Sequence, residues 1–249
     1  MFPNNFKPDG AYDLIRIGSD NDGGYLVDPN SIEQSNALLA LGIGKNWSFE
    51  KDFLEHKNLN VHAYDYSVGN LFWIKHFIKR LMAVLIGRFY APLHAVRTFL
   101  EFKEFFKIKA KLYLEKIGTD LDCDTSLNQA LQRLRETPLF LKVDIEGYEY
   151  QILDEIIACQ NNLSGLVIEF HQASKNKERI RVFIDSIDLK LIHIHPNNNR
   201  LDEEGDPQAI ELSFSKNPSK PGGEFLGPHS LDQDNVPRKK TVKLRFSEI

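Results

Sequence analysis

The segment Leu139–Val143 with the Asp144-Ile145-Glu146-Gly147 that follows constrains the fold more than any other stretch of the chain. Four apolar residues around Lys142, entered from Pro138, read as an interior strand of a parallel sheet, because a strand covered on both faces is hydrophobic almost throughout. The strand ends abruptly in two carboxylates and a glycine. Charge is thereby delivered to the carboxyl edge of the sheet, where open α/β sheets bind their ligands. A helix expected at 148–158 would use one acid in its first turn as a cap, which leaves the second unexplained.

Other segments extend this pattern. Turn-forming residues 19–23 separate two short apolar runs, so residues of about 10–30 read as a β-hairpin or lid. Strands are expected at 37–43, 60–64, 111–117, 166–170, 190–195 and 209–214, and helices at 47–56, 126–135 and 177–187. Residues 71–107 have helical spacings interrupted by Gly87 and Pro92, and the proline-rich stretch 217–237 reads as loop. Alternation of strand and helix implies an α/β, mostly parallel, doubly wound sheet. With 249 residues and 42% hydrophobic content, one domain spanning 1–249 is the default.

A net charge of −4 argues against a general nucleic-acid binder, which needs a basic footprint. Two cysteines are too few for a disulfide framework, and the amino terminus lacks a signal-like pattern, so a cytoplasmic setting is expected. The longest apolar tract, 81–86, is far short of the roughly 20 residues of a transmembrane span.

The first core strand runs into Gly42-Ile43-Gly44, where glycines let backbone approach a nucleotide. Asp65, at the end of the second strand, lies 21 residues beyond Gly44, and an acid there is suited to ribose hydroxyls. Trp47 stands where a dinucleotide fingerprint has its third glycine. That disfavours NAD and an oxidoreductase, and favours an adenosyl ligand without a pyrophosphate.

Four segments together resemble the S-adenosylmethionine-dependent methyltransferases of the FkbM type. They are Arg16-Ile17-Gly18 with Asp22-Gly23-Gly24-Tyr25, Gly42-Ile43-Gly44 with Ser48-Phe49-Glu50, Asp65, and Leu141 to Gly147, in a region from 16 to about 216. The resemblance implies a Rossmann-like class I methyltransferase fold with a helical insert at about 70–110. It also implies an O-methyltransferase acting on a sugar-containing acceptor, such as a nucleotide-sugar or a surface polysaccharide precursor. Gly42, Gly44, Ser48, Phe49, Glu50 and Asp65 would line the S-adenosylmethionine pocket, with Asp144 beside the methionine end. Ala40 departs from the pattern, since many methyltransferases carry an acid there, and Glu50 or Asp144 would have to meet the methionine ammonium instead.

Methyl transfer to a hydroxyl requires alignment and removal of a proton. His171 is the first candidate for the base and His195 the second, and Glu146 is a further candidate catalytic group. Alternatively Asp144, Glu169 and His171 would hold a divalent cation, magnesium or manganese, as oxygen-rich sites do. Only one of His193 and His195 is expected on a given face of the sheet.

From 70 to 111 there are nine Lys or Arg and two acids, interleaved with aromatics. Three readings stand: a cap that binds phosphate on the acceptor, a helix pair resting on an anionic membrane, or outer helices whose aromatics face the core. A catalytically silent methyltransferase-fold module that binds a membrane surface or a partner is the alternative to an enzyme.

Overall fold

A computed structural model describes residues 1–219 and 221–247. Its centre is a seven-stranded sheet built from β4 (Ala37–Leu41), β5 (Asn60–Tyr64), β6 (Lys111–Tyr113), β7 (Leu139–Val143), β8 (Leu163–His171), β9 (Lys190–Leu201) and β10 (Pro207–Ser215). The spatial order is β6-β5-β4-β7-β8-β10-β9. All pairings are parallel except those of β10, which runs antiparallel to both β8 and β9. This is the expected doubly wound α/β sheet of a Rossmann-like class I methyltransferase, with one reversed strand near an edge.

Strand alternation divides the core in two. On one face Leu39, Leu41, Leu139, Leu141 and Val143 pack against Leu127, Ala130 and Leu134 of α5 (Leu127–Leu134), Leu153 and Ile156 of α6 (Leu153–Cys159), and Ile180 and Phe183 of α7 (Lys177–Ser186). On the other face Leu38, Val61, Phe140 and Val167 meet Ile32 of α1 (Pro29–Glu33) and Phe49 and Phe53 of α2 (Ser48–His56). The hairpin of β2 (Ile15–Gly18) and β3 (Gly24–Val27) adds Ile17, Tyr25 and Val27 to this second layer. It is therefore part of the core rather than a free lid. A short parallel bridge joins β1 (Phe2–Pro3) to β11 (Phe246–Ser247), a pairing too brief to leave any pattern in sequence.

The insert is a helical hairpin, α3 (Asn70–Met82) and α4 (Ala91–Ile108), connected through a single 3₁₀ turn at Ala83–Ile86 and a left-handed Gly87. Trp73 of α3 lies 4.8 Å from Phe102 of α4, ring centre to ring centre, and Phe102 lies 5.3 Å from Trp47. Trp47 thus wedges the hairpin against the sheet, where it meets the small side chains Ala40 and Ala63.

The helix expected at 148–158 is shifted. Residues Glu149–Gln151 form a 3₁₀ turn and α6 begins only at Leu153. The cause is Glu149, fully buried, whose carboxylate accepts hydrogen bonds from the amides of Gly147 at 2.8 Å and His171 at 2.6 Å. The loop 217–237 is irregular as expected, with Lys220 outside the described residues.

Candidate functional site

Strand order reverses between β4 and β7, and the two chains leaving this point are tied together, the amide of Asp144 donating to Leu41 O at 2.8 Å. A cavity of about 440 Å³ opens beside them. Gly42, Gly44, Asp65, Asp144 and Glu146 line it, together with Lys116, Lys142 and Tyr148. Five residues expected from sequence are therefore brought to one crevice. Gly42 has φ +82°, and a Cβ there would stand 1.6 Å from Asp144 O, so only glycine admits the β7 turn. Gly44, at φ +55°, has nothing within 4 Å of where a Cβ would project and leaves the cavity open.

Asp65 pins this turn. Its Oδ2 accepts from the amides of Ile43 at 2.9 Å and Gly44 at 2.7 Å, and its Oδ1 from the amide and hydroxyl of Ser67, both at 2.7 Å. A carboxylate has about four acceptor positions, and all are occupied. A ribose hydroxyl would reach Asp65 by displacing the exposed Ser67 hydroxyl.

Three residues expected in the pocket lie elsewhere. Ser48 accepts a hydrogen bond from the amide of Ser19 at 2.8 Å and so ties α2 to the hairpin. Phe49 packs among Tyr25, Phe53 and Phe140. Glu50 is fully buried and paired with Lys142, Oε1 to Nζ 3.1 Å. Lys142 sits on β7 in register with Ala40, and its Nζ also donates to Gly42 O at 2.9 Å. The ammonium group thus lies against the glycine turn, and Glu50 is its counter-ion. Burial opposes the charge on Lys142, but Glu50 and Asp144 overcome it and raise its pKa.

Beyond Asp144 lies a carboxylate cluster around His171. His171 Nε2 is 3.5 Å from Glu146 Oε2 and 3.9 Å from both Asp144 Oδ1 and Glu169 Oε1, and its Nδ1 is 3.4 Å from Glu149 Oε1. One ligand atom from each of Asp144, Glu169 and His171 lies within 4.8 Å of the others. Tyr25, buried below, donates toward Asp144 Oδ2 at 3.4 Å or Glu169 Oε2 at 3.5 Å, and Asn197 Nδ2 donates to Glu169 Oε1 at 3.0 Å. Burial pushes the Asp144 carboxyl up, with Lys142 and His171 opposing. Glu169 is raised well above the usual range by burial and then by Asp144 and Glu211. Burial alone would lower His171, yet Glu149, Glu169 and Asp144 raise it to about 9.

The surrounding carboxylates favour the protonated ring of His171, which works against the expected role of a neutral imidazole base. His195 is also displaced from the expected role. Its Nδ1 lies 3.0 Å from Asp232 Oδ1 and its Nε2 3.1 Å from Asn235 Oδ1, so both nitrogens are engaged by the tail and the ring does not line the cavity. His193 contacts the same Asp232 oxygen at 3.0 Å. Residues two apart on a strand share a face, so both histidines lie on one side of β9, contrary to the one-per-face expectation. Tyr25, Lys142 and Glu149 were not picked out as site residues from sequence. Tyr25 and Lys142 left a signal there, in the segments Gly23-Gly24-Tyr25 and Leu141 to Gly147.

Of residues 70–111 only Phe72 lines the cavity.

The strand order and the reversed β10 define a class I methyltransferase fold. A family model described as the methyltransferase FkbM domain matches residues 120–200, the part of the chain that carries Asp144, Glu146, Glu169, His171 and His195. The resemblance read from Leu141 to Gly147 falls within that match. No match was found among curated proteins. Among solved structures, an rRNA methylase from Streptococcus thermophilus is 14% identical, covers 75% of this chain and 92% of its own, and has a TM-score of 0.42. The fibrillarin pre-rRNA processing protein of Methanococcus jannaschii is 13% identical over 82% of each chain, with a TM-score of 0.41. A precorrin-6y C5,15-methyltransferase from Geobacter metallireducens is 12% identical over 74% and 86%, with a TM-score of 0.35. The family match supports an S-adenosylmethionine-dependent methyltransferase.

Proposed function

We propose that the chain is an S-adenosylmethionine-dependent O-methyltransferase acting on a hydroxyl of a sugar-containing acceptor, such as a nucleotide-sugar or a polysaccharide precursor. The observation that carries this reading is the adjacency of the glycine-turn cavity to half-buried Asp144 and buried Glu169, carboxylates whose affinity for protons is raised. A hydroxyl nucleophile needs a proton acceptor poised near neutral pH, and Asp144 and Glu169 are carboxylates shifted in that direction.

S-adenosylmethionine fits the cavity on two counts. Gly44 leaves open space at the carboxyl end of β4, and Asp144 presents a carboxylate, free of backbone hydrogen bonds to its side chain, for an ammonium group. The turn Gly42–Gly44 and Asp65 would hold the nucleoside end and Asp144 the methionine end. When bound, the cofactor supplies an electrophilic methyl group for in-line displacement. Glu169, as the carboxylate, would then accept the hydroxyl proton, leaving Asp144 to the cofactor. His171, as an imidazolium, balances their charge, and Tyr25 and Asn197 keep the two carboxylates oriented. Exposed Lys45, which lines the cavity, suits a phosphate on the acceptor, whereas Lys116 is already paired with Asp122.

A second reading is favoured by the spacing of Asp144, Glu169 and His171, which suits a magnesium or manganese ion that would itself lower the pKa of the acceptor hydroxyl. Such an ion would hold His171 neutral as a ligand. The test is methyl transfer from labelled S-adenosylmethionine to a panel of nucleotide-sugars, with mass spectrometry to locate the methyl group. Methyl on a sugar oxygen that survives EDTA supports the carboxylate-base reading, and loss restored by manganese supports the metal. Transfer to nitrogen or carbon would overturn O-methylation.

A further inference from the structure

We infer that the hairpin of α3 and α4 docks this protein on an anionic lipid bilayer. The inference is independent of the acceptor and of the reaction.

Only the base of the hairpin is packed. Trp73 is the single buried residue of α3, Ala95 and Phe102 are the buried residues of α4, and the turn Ala83–Ile86 contains none. Met82 lies nine residues past Trp73, about 14 Å farther along the helix axis. From α3 into the following turn Leu71, Ile74, Ile78, Leu81 and Leu85 recur at helical spacing and are all exposed, between 51% and 77%. The tip continues with Ile86 at 73%, Phe89 at 72%, Tyr90 at 83% and Leu93 at 68%. A water-facing helix pair would place polar residues here; this one places large aliphatic and aromatic side chains.

The charge specifies the occupant. Residues 70–100 contain Lys75, Lys79, Arg80, Arg88 and Arg97 and no Asp or Glu. After burial, Arg80, Lys45 and Lys79 act together to lower the pKa of His76 on α3, which registers the local positive field. An apolar stripe flanked by cations, with aromatic residues at its end, has the composition of a segment lying in the headgroup boundary of an acidic membrane. A second copy of the chain would bring the same cations against one another. A nucleotide-sugar would satisfy the cations but leave the aliphatic tip in water.

Co-sedimentation with vesicles of phosphatidylcholine, with and without 30 mol% phosphatidylglycerol, tests the inference. Binding is expected to the anionic vesicles, to fall at least tenfold in the Leu85→Glu/Phe89→Glu double variant and in Lys79→Glu/Arg88→Glu, and to weaken with rising salt. These side chains are exposed, and unchanged melting profiles would establish that the variants are folded. Absence of binding by the wild-type protein overturns the inference. So does a dimer, seen by sedimentation velocity, that the Leu85→Glu/Phe89→Glu variant dissociates without any vesicle binding. A rise in KM for a soluble nucleotide-sugar in Lys79→Glu/Arg88→Glu, with no vesicle binding by the wild type, would assign the cations to the acceptor instead. None of these outcomes bears on cofactor binding, so the two proposals fail separately.

Discussion

Replacing Asp65 by alanine separates a ribose anchor from a structural pin. The substitution removes all four hydrogen bonds that the carboxylate accepts. Ser67 is exposed and re-pairs its amide and hydroxyl with water, so the loss falls on the amides of Ile43 and Gly44. At about 1.5–3 kcal/mol for each bond to the carboxylate, the cost is about 3–6 kcal/mol. In a chain of this size that lowers Tm by roughly 6–24 °C. Calorimetric melting gives the stability change, and titration with S-adenosylhomocysteine should show an affinity loss of about tenfold or more as the glycine turn relaxes. Asp65→Asn, which keeps one acceptor oxygen, should fall between the two. An alanine variant that melts with the wild type but binds weakly would make Asp65 a ribose contact only. One unchanged in both would refute the reasoning.

Glu50→Leu strands the buried ammonium of Lys142 and should cost about 3–5 kcal/mol, most of it recovered when Lys142→Met is added, as denaturant melts of the three variants would show. Glu169→Gln should lower kcat by about 10²–10⁴-fold while S-adenosylhomocysteine affinity is retained, which calorimetry and steady-state kinetics separate. The pH dependence of stability has a definite sign. His195, against Asp232, has a folded pKa raised from 6.5 to about 9, so its contribution is complete below pH 6.5 and is lost as pH rises toward 9. His171 follows the same course, and Tm should therefore decline across that interval. In His195→Gln the decline should be shallower.

Much of the sheet was legible because buried parallel strands are written as short apolar runs. β5 and β7 fall at the positions read from sequence, and β4 ends two residues before its expected limit because Gly42 already has a left-handed backbone. The break at Gly87 was legible for the same reason. The chemistry was less so. Strand-end position alone located Asp144, Glu169 and His171, but protonation depends on how many carboxylates surround the imidazole, and Glu149 comes from a turn that had been read as helix. Glu50 was expected in the pocket from the resemblance to FkbM-type enzymes and from the missing acid at Ala40. Its partner lies 92 residues away, a distance that no local pattern spans. His195 was misplaced because the tail carrying Asp232 and Asn235 has no periodic signal to show where it folds back.

The central claim is that the cavity between β4 and β7 holds an adenosyl cofactor, and calorimetric titration of the wild-type protein with S-adenosylhomocysteine tests it most directly. Saturable binding at one site per chain is expected, abolished by Gly42→Val, whose side chain would occupy the place of Asp144 O. A folded wild-type protein that gives no binding heat at any temperature tried, or a Gly42→Val variant that is folded and binds as tightly as the wild type, would contradict it.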